Sequence, residues 1–203
     1  MNLAQNVAPA FVTPIVNYRW PDTGALNTTL ESLILGLEAD GPGVQKSNVG
    51  GWHSELDFLG LEAPPVQELR KRLDSFATAL RERFSHPQGG TDTAPHRLEG
   101  WANVLRRGQY NSVHSHPNAS WSMVYYVTGN DNVEAHPFSG KLELLDPRPG
   151  AALHYSEESR LGGRIMLNPM PGQIIAFPSW LQHLVHPVFS DSPRISVAVN
   201  LLP

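Results

Sequence analysis

The chain has 203 residues, 40% of them hydrophobic, and its 15 Lys and Arg against 19 Asp and Glu leave a formal net charge of −4. This length and balance suit one folded domain with a sizeable core and exclude a disordered acidic chain. There is no basic surplus to neutralise phosphates, so nucleic acid is not expected as a partner. The absence of Cys excludes disulfides, thiolate zinc sites and cysteine nucleophiles. No basic residue precedes Arg19 and no apolar run reaches about 18 residues, so we expect no targeting segment, no membrane span and a soluble cytoplasmic protein.

The first 96 residues predict a mixture of helices and loops. Residues 11–16 are typical of a short strand, and Asn27-Thr28-Thr29 are residue types that cap a helix, here one continuing through Leu37. Residues 45–54 show no period and are interpreted as an ordered loop. A second helix follows Pro64-Pro65 and runs to Phe84, with apolar residues at helical spacing on one face and charged residues on the other. We expect this region to support the outside of whatever follows it.

From about residue 97 the pattern changes to short strands separated by Gly, Pro, Asn and Asp. The predicted strands cover residues 98–106, 120–127, 141–145, 152–155, 165–167, 173–177, 185–188 and 194–202. This number of short strands with regular turns favours a sandwich, a jelly roll or a small barrel. We therefore predict a single domain over residues 1–203, with a support region at 1–96 and a β core at 97–203.

Three histidines are the first candidates for chemistry. In an extended segment, positions two apart point to the same face, so His114 and His116 could reach one ion. A third candidate, His183, follows 67 residues later in an aromatic and proline-rich stretch. Each feature taken alone is more often structural than metal-binding, whereas His186, three residues further on, is expected to point away from His183 and to be structural.

The last predicted strand alternates cleanly between two kinds of side chain. Its aliphatic set, which must pack on a core, is Ile195, Val197, Val199 and Leu201, and its other set is Arg194, Ser196, Ala198 and Asn200. On a solvated face the second set would be unremarkable. Lining a cavity, the Arg194 guanidinium and the Ser196 hydroxyl would suit a carboxylate.

Taken together, these features resemble the Fe(II)/2-oxoglutarate-dependent oxygenases, closest to small members related to the prolyl hydroxylases. The resemblance rests on residues 47–54, 111–117, 122–126 and 146–148, on 177–181 with His183, and on 194–196 with Asn200. It implies a mostly β fold, a double-stranded β-helix (jelly roll, cupin-like) with the N-terminal helices packed on its outer face, and the cofactors Fe(II) and 2-oxoglutarate. His114 and His183 fall on the two family histidines, and Arg194 falls on the residue that holds the distal carboxylate of 2-oxoglutarate. Ser196, Tyr126 and Asn200 are further candidate contacts to that cosubstrate, although Tyr126, like Trp121 and Tyr125, is also typical of a core aromatic.

The sequence departs from the family pattern at His116, where an Asp or Glu is expected. The usual site has two histidines and one carboxylate. Three arrangements are open: His114, His116 and His183 form a three-histidine site; His116 binds while His114 orients it; or a distant carboxylate such as Asp146 completes the set. We favour the first, which suits Fe(II) and also Zn(II) or Cu(II).

The resemblance implies a dioxygenase that couples oxidative decarboxylation of 2-oxoglutarate to hydroxylation of a small molecule or a peptide, with a homodimer as an allowed assembly. One alternative is a cupin-like metal-dependent dioxygenase or isomerase without 2-oxoglutarate, in which Arg194 and Ser196 would not face the metal cavity. The other is a non-enzymatic jelly-roll binding module, in which the three histidines would be scattered. Residues 47–54 and 129–138 are candidate loops for the mouth of the site.

Overall fold

The computed structural model describes residues 10–84, 95–151 and 163–203. Two antiparallel sheets face each other, and two helices cover the larger one. The helices are α1 (Gly24–Asp40) and α2 (Pro64–Phe84). The strands are β1 (Val16–Arg19), β2 (Asn48–Val49), β3 (Trp52–His53), β4 (Arg97–Leu105), β5 (Tyr110–His114), β6 (Trp121–Tyr126), β7 (Leu142–Leu145), β8 (Arg164–Leu167), β9 (Gln173–Pro178), β10 (His183–Val185) and β11 (Arg194–Leu202).

The order of the strands confirms the double-stranded β-helix. The larger sheet runs β1-β9-β6-β11-β4-β3 and the smaller one β2-β5-β10-β7-β8, so the chain crosses between the sheets at nearly every connection after β4. The strands β1, β2 and β3, which precede residue 97, each pair with a core strand. The division of the chain at residue 96 therefore stays a prediction, because both sheets also recruit residues from before it.

The helices pack on the outer face of the larger sheet, as predicted. Along α2 the buried residues Val66, Leu69, Leu73, Ala77 and Leu80 recur at helical spacing. They join one apolar cluster with the outward aliphatic side chains of the central strand β11: Ile195, Val197, Val199 and Leu201. A second, smaller cluster lies between the two sheets and includes Tyr126, Phe177 and Leu181.

Several predicted boundaries shift in the structure. The helix α1 begins at Gly24, so the predicted capping residues lie inside it. There the hydroxyl of Thr28 donates to the carbonyl oxygen of Gly24 at 3.1 Å instead of capping the helix. The first strand starts only at Val16. The segment 45–54, predicted as a loop, contributes the short strands β2 and β3. The predicted strand at 152–155 lies outside the described residues. Within the described parts of the chain, neither helix combines the length and the apolar character that a membrane span requires.

Candidate metal and cosubstrate site

Strand register brings the three candidate histidines together. The strand β5 ends at His114, β10 begins at His183, and the two residues are paired directly across the strands. His116 follows β5 and is docked by its backbone N–H, which donates to the carbonyl oxygen of Ser179 at 2.9 Å. One ring nitrogen from each histidine lies within 4.8 Å of the others, and the Nε2 atoms of His116 and His183 are 3.3 Å apart. We call this end of the two sheets the histidine end.

A long-range contact adds to the spacing that the sequence suggested for this convergence. His114 and His116 were expected to share one face of a strand, but the strand stops at His114. The following turn contains Asn118 in the left-handed region, with φ of 70°. The contact with Ser179 therefore holds His116 beside the other two, just beyond the end of the strand.

Each of the three rings is fixed in one tautomer by an oxygen acceptor at Nδ1. The acceptors are the carbonyl oxygen of Ser112 for His114 at 2.7 Å, the amide oxygen of Asn200 for His116 at 2.8 Å and the carbonyl oxygen of Leu181 for His183 at 2.9 Å. Because these oxygens only accept, each Nδ1 carries the hydrogen and each Nε2 presents a lone pair. Two lone pairs 3.3 Å apart repel each other unless a cation lies between them. The donor set therefore fits a metal ion.

Electrostatics keep these rings neutral. Burial, reinforced by neighbouring His114, lowers the pKa of His183 to about 3 and that of His116 to about 4. Burial also lowers the pKa of His114. Neutral imidazoles are the form that binds metals, so at neutral pH no proton has to be displaced.

Arg194 lies on the inner face of β11 and is 2% exposed. Its Nε donates to the carbonyl oxygen of Gly140 at 2.9 Å, and its Nη1 donates to the Ser196 hydroxyl at 3.3 Å. Its guanidinium carbon lies 5.1 Å from the ring centroid of Tyr126. Among the described residues, neither Arg194 Nη2 nor the Tyr126 hydroxyl has a hydrogen-bond partner. Two buried, unpartnered donors side by side fit a carboxylate oxygen, which only accepts.

The same cavity contains both the histidines and Arg194. Its wall includes a row across the larger sheet in which Asn103 on β4, Ser196 on β11 and Tyr126 on β6 are register neighbours. Burial raises the pKa of Tyr126 and lowers that of Arg194. Arg194 is the one formal charge among the described side chains that line this cavity, so the cavity favours an anion.

Several cavity residues were missed by the sequence analysis. Trp101 stacks on His116 with ring centroids 5.5 Å apart. Ser47, by contrast, belongs to the predicted mouth loop 47–54, and its Oγ lies 3.4 Å from His114 Nε2. The Asn103 amide oxygen and the Ser122 hydroxyl are buried there without a partner among the described residues. The signal for Asn103 and Ser122 was present: polar residues interrupt the otherwise apolar strands β4 and β6 at inward positions.

The remaining candidate residues either lie outside the histidine cluster or form other hydrogen bonds. Asp146 accepts hydrogen bonds from Arg148 and is not among the described groups within reach of a shared ion, so the structure offers no support for it as third ligand. His186 Nε2 lies 2.6 Å from Glu143 Oε2, as a structural residue would. The amide oxygen of Asn200 is taken by His116, and a contact between Asn200 and the cosubstrate stays a prediction. Of the two predicted mouth loops, residues 47–54 contribute Ser47 to the lining of this cavity, and the role of residues 129–138 stays a prediction.

A double-stranded β-helix with histidines converging at one end and a buried arginine on its last strand defines a class of metal-dependent oxygenases. The chain belongs to the family described as "Putative 2OG-Fe(II) oxygenase", whose model matches residues 99–200, half of the sequence. It is therefore an Fe(II)- and 2-oxoglutarate-dependent dioxygenase, and the three histidines and the unpartnered donors at Arg194 and Tyr126 fit these two groups.

Solved structures of similar fold agree with this class. A prolyl-4-hydroxylase from Pseudomonas putida is 16% identical with a TM-score of 0.67, covering 94% of this chain and 92% of its own. A viral collagen prolyl hydroxylase from Paramecium Bursaria Chlorella virus-1 is 13% identical with a TM-score of 0.59, covering 92% and 94%. HygX from Streptomyces hygroscopicus, solved with nickel, 2-oxoglutarate and hygromycin B, is 12% identical with a TM-score of 0.63, covering 94% and 83%. No match was found among curated proteins. At these identities the likeness establishes the fold.

Proposed function

We propose that His114, His116 and His183 bind Fe(II) through their Nε2 atoms. The observation that carries this assignment is the set of three Nδ1 hydrogen bonds, which leaves the Nε2 lone pair of each ring available as a ligand within one cluster. Without a carboxylate in the set, the ion keeps its full charge of +2, which favours binding of the dianionic cosubstrate. The three neutral nitrogens also suit Zn(II) or Cu(II).

We assign the distal carboxylate of 2-oxoglutarate to Arg194 Nη2 and the Tyr126 hydroxyl. Ser196 and the Gly140 carbonyl oxygen then act as positioning groups, because they hold the guanidinium by Nη1 and Nε. The contribution of Tyr126 is a donated hydrogen bond, since burial holds its hydroxyl protonated. The alternative without 2-oxoglutarate required Arg194 and Ser196 to face away from the metal cavity, and both line it.

Bound iron and 2-oxoglutarate supply the oxidation, in which O₂ and 2-oxoglutarate yield succinate, CO₂ and one oxygen atom for the substrate. The chain's own residues orient the bound groups and shield them from water. Phe177 packs edge-on against His183 with ring centroids 4.7 Å apart, and with Leu142 and Val185 it forms an apolar wall. Such a wall keeps water from the reacting groups. No residue is needed as a general base.

The cellular setting and the partners belong to the same proposal. A cytoplasmic location is supported by the absence of Cys, since a protein without disulfides has no need of an oxidising compartment, and by the need to keep Fe(II) reduced. The proposed substrate is a small molecule or a peptide, without nucleic acid or membrane, in a monomer or a homodimer.

The decisive experiment is an anaerobic titration of the Fe(II)-loaded protein with 2-oxoglutarate. Chelation of the 2-oxo acid by iron gives a metal-to-ligand charge-transfer band, which reports binding without knowledge of the substrate. Arg194→Ala should weaken 2-oxoglutarate by roughly 30- to 1000-fold, equivalent to about 2–4 kcal/mol for a carboxylate that loses its buried partner. The 2-oxoglutarate affinity of Arg194→Lys should lie between those of the wild type and Arg194→Ala, because lysine keeps the charge without the planar arrangement of donors.

The control is Arg107→Ala, since Arg107 is exposed and pairs with Asp191 outside the cavity. It should leave both iron content and the titration unchanged. An unaltered 2-oxoglutarate affinity in Arg194→Ala would remove the assignment of Arg194 and favour a metal-dependent enzyme that uses another cosubstrate site.

A further inference from the structure

A second and larger cleft opens beside the metal cavity, between the free edges of the two sheets. Its volume is about 500 Å³, within the range of small-molecule sites. One wall is the segment that leads into β1, with Thr13 and Ile15, and the opposite wall comes from Ile165 on the edge strand β8. Leu144, Leu145 and Leu181 form the floor.

This cleft has its own lining residues, and two of them lie beside His183 of the metal site. Leu144 is the register partner of His183 in the neighbouring strand. The carbonyl oxygen of Leu181 accepts the hydrogen bond that fixes the His183 ring. One floor residue therefore neighbours His183 on the adjacent strand and another holds its ring, which places the cleft beside one proposed iron ligand.

The chemistry of the lining selects against charge. The Asp146 carboxylate accepts from the backbone N–H and the guanidinium of Arg148, with Nε and Nη2 at 3.0 and 2.6 Å. Arg164 Nη1 lies 3.6 Å from Glu143, and the guanidinium carbon lies 5.4 Å from the Phe138 ring centroid. Every charged side chain described in this lining thus has a partner, while the floor is aliphatic. A charged ligand group would be desolvated here without compensation.

Building on the proposed function, we propose that this cleft binds the substrate through an uncharged aliphatic or aromatic group. The substrate enters between the sheet edges, buries that group on Leu144, Leu181 and Ile165, and presents the carbon to be hydroxylated toward the histidines. Burial of apolar surface supplies the affinity, and the paired charges at the rim select against acidic and basic groups at the floor.

The test uses three probes of one ring and different charge: indole, indole-3-acetate and tryptamine. They are titrated into the full chain holding Zn(II), a diamagnetic substitute for iron, and 2-oxoglutarate, and binding is followed by backbone amide shifts. Indole should shift the amides of Leu144, Gly163 and Ile165. Both charged probes should bind at least about fivefold more weakly, because each must bring an uncompensated charge to an apolar floor.

Two neighbouring substitutions provide the matched comparison. Ile165→Lys places a charge in the cleft and should weaken indole at least about tenfold, which is 1.4 kcal/mol. Met166→Lys, the next residue, lies outside this lining and pairs in register with Glu143, so it should bind indole as the wild type does. Ile165→Trp fills the cleft without charge and should also weaken indole.

The proposal is overturned if indole shifts no cleft amide, which includes the case in which another part of the chain fills the space. It is equally overturned if both lysine variants bind indole alike, or if a charged probe binds more tightly than indole. A wild-type protein that binds indole in the cleft but shows no charge-transfer band with Fe(II) and 2-oxoglutarate would instead refute the proposed function and leave the cleft assignment standing.

Discussion

The outer face of the larger sheet packs against the helices and its inner face lines the proposed site, and the central strand β11 contributes to both. Outward, its aliphatic residues pack into the cluster formed with α1 and α2, where nearly every side chain is apolar and buried. Inward, Arg194, Ser196 and Asn200 are just as buried but polar, and their neighbours across the sheet are Asn103, Tyr126 and Ser122.

The inner face carries an energetic cost that the outer face does not. Asn103, Ser122, Tyr126 and Arg194 each leave one buried polar atom without a partner among the described residues. An unsatisfied buried polar group costs about 1–3 kcal/mol. Apolar packing on the outer face offsets this cost in the folded protein, and binding of the cosubstrate offsets part of the same cost. Substitutions on the two faces should therefore separate folding from ligand binding.

The largest expected effect is the loss of iron when a ligand is removed from the inner site. His183→Ala and His116→Ala should each abolish stoichiometric Fe(II) binding, measured as metal content after anaerobic loading and desalting. His186→Ala is the matched control, because His186 is held by Glu143 and is not a proposed ligand. This variant should retain iron. Full iron content in His116→Ala would show that the site does not use three histidines.

A pair of substitutions compares the faces directly. Leu201 and Ser122 are each 1% exposed, the first on the outer face and the second on the inner face. Leu201→Ala should lower the free energy of unfolding by about 2–5 kcal/mol through the cavity that it leaves. Ser122→Ala should leave the free energy of unfolding unchanged or raise it, since the Ser122 hydroxyl has no partner among the described residues. Urea unfolding of both apoproteins measures the difference, and equal losses would contradict the contrast between the faces.

Asn200 tests how far the inner face positions the metal ligands. Asn200→Ala removes the acceptor from His116 Nδ1 and should weaken Fe(II) about 10- to 100-fold. Asn200→Asp keeps an acceptor for the same ring nitrogen and should restore most of the affinity. If the alanine variant binds iron as well as the wild type, the hydrogen bond does not orient His116.

A further expected effect is a pH dependence of apoprotein stability. The pKa values of His116 and His183, lowered by burial to about 4 and about 3, lie below the 6.5 of an unfolded histidine. Between these values the unfolded chain binds more protons, so the free energy of unfolding should fall as the pH decreases below 6.5. The slope is at most about 1.4 kcal/mol per pH unit for each histidine.

Urea unfolding of the metal-free protein between neutral and mildly acidic pH measures this slope. A variant carrying both His116→Ala and His183→Ala should show a shallower dependence, because two of the buried groups that must be charged are gone. An identical slope in that variant would assign the acid sensitivity to other groups.

The pattern of short strands with Gly and Pro turns was enough to predict a β-rich fold, and the resemblance to the oxygenases narrowed it to a double-stranded β-helix. The sequence also determined the two faces of β11, since a strand's side chains alternate whatever it pairs with. Helix α2 was equally readable, because its apolar residues recur at helical spacing along one face.

Tertiary structure alone decided how the polar residues meet. Pairing of β5 with β10 put His183 opposite His114, which local spacing does not specify, and a hydrogen bond to Ser179 holds His116 beside them. The row of Asn103, Ser196 and Tyr126 exists only because β4, β11 and β6 pair in one register. Contacts between residues dozens of positions apart depend on register and on strand order, and these are set by the packing of the whole chain rather than by any local pattern.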